Sequence, residues 1–76
     1  MIEKIIELIR EICPYEQITE NTELIESGIL NSLSIVGLIT QLEDEFGVEI
    51  ADDAVTAKNF STVPEIMKLV EESAKL

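Results

Sequence analysis

The chain has no histidine and no tryptophan, and only one cysteine, one tyrosine and two phenylalanines among its 76 residues. Without histidine there is no His-dependent catalytic triad and no Cys/His zinc site, and Cys13 alone forms no internal disulfide. A reactive thiolate needs nearby positive charge. Cys13 has acidic neighbours, so it reads as a small apolar residue. Basic residues are also scarce: 5 Lys and Arg stand against 16 Asp and Glu, a formal charge of −11. Such a chain is repelled by phosphate backbones and anionic lipid surfaces, which argues against nucleic acid and membrane as partners. No apolar run approaches the length of a membrane span. Glu3, Lys4 and Glu7 interrupt Ile2, Ile5 and Ile6, so the N-terminus lacks the apolar segment of a signal peptide. A cytoplasmic protein is expected.

What is present is aliphatic. The apolar content of 46 % argues against disorder despite the charge, and 76 residues suffice for one compact domain over residues 1–76. Ile2, Ile5, Ile6, Leu8, Ile9 and Ile12 recur at helical spacing, which predicts an amphipathic helix over residues 2–12, ended by Pro14. From Pro14 to Asn31 the periodicity lapses. Turn formers Thr19, Asn21, Thr22, Ser27 and Gly28 alternate with apolar Ile18, Leu24, Ile25, Ile29 and Leu30, which predicts a long loop pinned to the core. Loops of that length are often functional.

A second helix is predicted from Asn31 or Ser32 to Phe46, with Leu33, Val36, Ile39, Leu42 and Phe46 marking one face and Gly47 as C-terminal cap. Thr56 is expected to cap a single helical turn ending near Phe60. The T-x-x-E sequence Thr62-Val63-Pro64-Glu65 reads as a capping box for a last helix, with Ile66, Leu69, Val70 and Ala74 facing inward. Val48 to Ile50 is a strand candidate with no partner. The expected fold is all-α, a small four-helix bundle of three main helices and one short one. Its core is expected to comprise Ile5, Ile9, Leu24, Leu30, Val36, Ile39, Leu42, Phe46, Ile50, Phe60, Ile66, Leu69 and Val70.

Where the loop meets the second helix, Gly28-Ile29-Leu30-Asn31-Ser32-Leu33 puts a hydroxyl at a helix N-terminus, whose unpaired amides suit a phosphate. Serine is common at helix starts, so taken alone the pattern reads as an N-cap. The wider segment "SGILNSLSIVGLITQLEDEFGVEI", residues 27–50, resembles the acyl carrier and peptidyl carrier proteins, whose signature is a Gly, a short spacer, Asp-Ser-Leu and an amphipathic helix with an acidic Phe-Gly-type end. "DDAVTAKNFSTVPEIMKLVE", residues 53–72, resembles the short third and capped fourth helices of that family.

This resemblance implies that Ser32 carries 4′-phosphopantetheine through a phosphodiester, and that the arm's thiol holds an acyl or aminoacyl group as a thioester. Ser34, two residues on, is the rival acceptor but does not occupy the motif's serine position. Asn31 departs from the family's aspartate while keeping the ability to cap. Gly37 takes a place that is often acidic in fatty-acid carriers. Glycine there costs about 0.5–1 kcal/mol relative to alanine; close approach of a partner, a neighbouring helix, or simple drift would each account for it. The implied docking surface combines Leu33, Ile35 and Thr40 with Glu43 and Asp44, which charge would steer toward basic surfaces.

The implied partners are a phosphopantetheinyl transferase and acyl- or aminoacyl-loading and transfer enzymes. A monomer without catalytic residues or metal is expected. Fatty-acid, polyketide or peptide, and D-alanyl pathways all stay open. The alternative is a carrier-like interaction domain that is never modified.

Overall fold

The computed structural model describes residues 1–74. Three helices appear: α1 (Ile2–Ile12), α2 (Ser32–Phe46) and α3 (Val63–Ser73), with a short 3-10 turn at Asp52–Ala54. Among the described residues there is no strand, and no helix is long and apolar enough to cross a membrane. The fold is the expected small all-α bundle. Helix α1 packs against both α2 and α3, burying Ile5, Leu8 and Ile9 between them while its acidic side stays in water.

The helix ends follow from their sequences. Helix α1 closes at Cys13, whose amide donates to the Ile9 carbonyl at 2.9 Å, immediately before Pro14 removes the next donor. At the end of α2, Gly47 takes a left-handed conformation (φ 63°), and its amide donates to the Glu43 carbonyl. Thr62 Oγ1 accepts from the Glu65 amide at 3.4 Å and starts α3. Pro64 sits in that first turn, where its missing amide is no loss.

The 13–31 connection is pinned as its apolar residues suggest. Ile18, Leu24 and Leu30 are buried, and Ile25 and Ile29 are half-buried. Leu24 donates to the Ser61 carbonyl at 2.8 Å, tying the loop to the start of α3, and Leu30 donates back to Leu24 at 2.9 Å. Cys13 Sγ donates to the Ile29 carbonyl at 3.3 Å, a third tie from the end of α1. These bonds fix the residues that lead into Ser32.

Three expectations are corrected. In α2 the buried residues are Leu38 and Leu42, flanked by half-buried Ile35, Ile39 and Phe46. Leu33 and Val36, expected on that face, are 85 % and 64 % exposed, so Val36 leaves the core and Leu38 enters it. The first half of α2 is apolar almost all round, and two stripes of helical spacing compete in it. Gly37, Thr40 and Asp44, at i, i+3 and i+7, mark the outer side. Second, Ala74 is exposed and caps α3 instead of lining its inner face; Val63 fills that face with Ile66, Leu69 and Val70. Third, the regular short helix falls at Asp52–Ala54, earlier than expected. The Thr56 turn is nevertheless present, with Thr56 Oγ1 accepting from the Asn59 amide at 3.2 Å and the Thr56 carbonyl from Phe60 at 3.3 Å. Phe60 is fully buried at the end of it.

Candidate functional site

Ser32 is the first residue of α2 and its side chain is exposed. The residue before it, Asn31, has an extended backbone (φ −126°, ψ −176°), the conformation of an N-cap. Its Oδ1 accepts from the Leu33 and Ser34 amides, each at 3.0 Å, and its backbone carbonyl accepts from Ile35 at 2.9 Å. The Asn31 side chain therefore satisfies two of the four amides that a helix start leaves without helical partners, and its carbonyl begins the regular helical bonding with Ile35. Asn31 is the cap, so the Ser32 hydroxyl is released from that task. Ser34 is half-buried, inside the first turn.

Beside Ser32 a groove of about 440 Å³ runs between the start of α2 and the segment Val55–Ala57. Ile25, Leu30, Ile35, Val36, Val55 and Thr56 line it, and no charged side chain does. Among the described residues, the exposed Val36 and Val55 line this groove with Ser32, and the exposed Leu33 follows the serine in sequence. A second hollow, about 480 Å³, lies at the other end of α2 between Gly47, Val48 and Ser73, remote from Ser32.

The five expected docking residues divide. Leu33, Thr40 and Asp44 are exposed on one side of α2, and Val36 and Gly37 join them. Ile35 is half-buried and turns into the groove. Glu43 is half-buried, and its Oε2 accepts the Ile50 amide at 3.0 Å, so this carboxylate braces the turn after α2. The sequence gives no signal for this bond, because it joins Glu43 to an amide seven residues on, across the turn at Gly47.

Charge on α2 is one-sided. The helix has no basic residue in its last turn and no acidic residue in its first, while Glu43, Asp44 and Glu45 crowd the carboxyl end. The helix dipole disfavours carboxylates there, by roughly 0.3–1 kcal/mol each when exposed. Among the described residues, Lys4 of α1 is the one cation within ion-pair distance, at 4.0 Å from Glu45. Glu43 is offset by its bond to the Ile50 amide, whereas Asp44 is exposed and the helix dipole does not favour it.

A helical scaffold that exposes one serine at a helix N-terminus, freed from capping by Asn31 and set beside a groove without charged lining, has the geometry of an attachment site. A group attached to the Ser32 hydroxyl would be presented to solvent at the positive end of α2. Residues 3–70 match the model of the family described as "Phosphopantetheine attachment site". The chain belongs to this family, whose domains are the sites of covalent 4′-phosphopantetheine attachment. Carrier domains of this kind are in general non-catalytic and interact with phosphopantetheinyl transferases and partner enzymes.

Proposed function

We propose that this chain is a carrier protein loaded at Ser32 with 4′-phosphopantetheine, and that it shuttles an acyl or aminoacyl group, held as a thioester, between enzymes with basic docking surfaces. The observation that carries the reading is the division of labour at the start of α2: Asn31 holds the amides and Ser32 is left exposed. In the loading step the Ser32 Oγ attacks the pyrophosphate of coenzyme A at the phosphorus bearing the pantetheine. An O–P bond forms, the bond to the bridging oxygen breaks, and the adenosine bisphosphate leaves. The first turn of α2 holds no acidic residue, so the base that takes the serine proton belongs to the transferase. Loading adds one ionised phosphodiester, moving the formal charge from −11 to about −12.

Asn31 is what favoured an unmodified interaction domain. Its capping role gives the asparagine a folding explanation and weakens that alternative. The carboxylates placed against the α2 dipole support charge-steered docking, which suits brief visits to several enzymes. We place the protein in the cytoplasm, where coenzyme A is supplied.

Incubation with coenzyme A and a broad-specificity transferase, followed by mass spectrometry, tests the site. The expected result is a gain of one phosphopantetheine that persists in Ser34→Ala and vanishes in Ser32→Ala. A gain retained in Ser32→Ala overturns the assignment.

A further inference from the structure

The chain has three glycines, and two have an internal reason to be glycine. Gly28 and Gly47 lie at φ 82° and 63°, where a side chain is strained. Gly37 differs. It sits in the middle of α2 without a positive φ, so its conformation suits any residue. Crowding does not require it either: a Cβ built there meets only Ile12 Cδ1, at 4.0 Å, an ordinary contact. A neighbouring helix is thereby removed as the explanation, and alanine would favour the helix. What the glycine does provide is a gap on the outer face. Leu33, Gly37, Thr40 and Asp44 follow one another at i, i+4, i+7 and i+11, on one side of α2. Leu33 stands 85 % exposed at one end of the stripe. Thr40, at the other end of the gap, donates its hydroxyl back to the Val36 carbonyl at 3.3 Å.

We infer that Gly37 is a close-approach point for the phosphopantetheinyl transferase, a notch where the enzyme's chain rests against bare helix backbone between Leu33 and Thr40. The inference rests on the carrier reading above. Gly37 is five residues from Ser32, about 7.5 Å along the axis at 1.5 Å per residue. An enzyme that closes around the Ser32 hydroxyl covers that distance with any interface of ordinary size. Leu33, one turn before Gly37, is 85 % exposed, and the exposed Val36 beside it also lines the groove next to Ser32. The carboxylates at the end of α2 give a basic enzyme the complementary charge that orients it along this helix. Gly37 is a specificity-determining residue: it acts by admitting the partner, with no part in the transfer chemistry.

The test uses the full chain as wild type, Gly37→Ala and Gly37→Leu, with coenzyme A and a transferase. Melting temperature and steady-state kinetics of Ser32 modification are both measured. Alanine should raise the melting temperature by about 3–6 °C, which shows the fold intact. It should also raise KM for the carrier several-fold with kcat little changed, and leucine should raise KM on the order of tenfold or more. A purely structural role cannot produce a more stable protein that is a worse substrate. If wild type is modified and both variants stay within twofold of its kcat/KM, the notch is overturned and the carrier reading stands. If wild type is not modified at Ser32, the carrier reading fails and the notch falls with it.

Discussion

At the scale of the residue, the site turns on two neighbours with separate tasks. Asparagine and aspartate are both good N-caps, but they differ in charge where the helix end is positive. Asn31 spends one oxygen on two amides. Asn31→Ala should therefore cost about 1 kcal/mol of stability, some 6 °C in melting temperature for a chain of this size. Asn31→Asp keeps the acceptor and adds a charge, and should gain about 0.3–1 kcal/mol. Thermal unfolding of the three proteins followed by circular dichroism checks the order Asp above Asn above Ala. An alanine variant as stable as wild type would mean that the cap is not supporting α2. Rapid loading of both wild type and Asn31→Asp would further show that the transferase does not depend on a carboxylate beside the serine.

At the scale of the element, α2 faces two ways, and its two faces make opposite predictions. Leu38 is fully buried, so Leu38→Ala should destabilise by about 2–5 kcal/mol. Val36 is 64 % exposed, so Val36→Ala should change stability by no more than about 0.5 kcal/mol. Denaturant unfolding of both variants measures the difference, and equal losses would return Val36 to the core. The same helix shows where sequence reading works and where it stops. Its ends were legible because Asn31, Ser32 and Gly47 act through local chemistry, and the bounds of α1 were legible because its polar residues are confined to one side. Its inward face was not, since apolar residues run round its first half and only the packing of α1 decides which stripe is buried. The loop was legible as pinned, through Ile18, Leu24 and Leu30, while the bond from Leu24 to Ser61 depends on a partner 37 positions away. The candidate serine was legible in its motif. The groove beside it was not, because Val55 and Thr56 reach it only through the fold.

At the scale of the whole molecule, size and charge constrain how a carrier works. One partner footprint of ordinary size covers roughly 800 Å², about a sixth of the 4925 Å² surface. On the carrier reading proposed above, enzymes acting near the root of an arm at Ser32 would share the α2 face, so their visits would be successive and mutually exclusive. Such exchange is fast when attraction is long-ranged and the contact small, and a charge of −11 supplies the attraction. The same charge strains the fold, because only two ion pairs, both from Lys4, offset it among the described residues. Salt should therefore act in opposite directions on folding and on docking. Raising sodium chloride shortens the screening length from about 10 Å at 0.1 M to about 3 Å at 1 M. Self-repulsion weakens and the melting temperature should rise. Steering weakens as well, and KM for the transferase should rise over the same range while kcat changes less. Melting curves and modification kinetics across one salt series measure both. A protein that gains stability while remaining an equally good substrate would show that its excess negative charge plays no part in docking, leaving Leu33, Val36 and the Gly37 gap to carry recognition by shape.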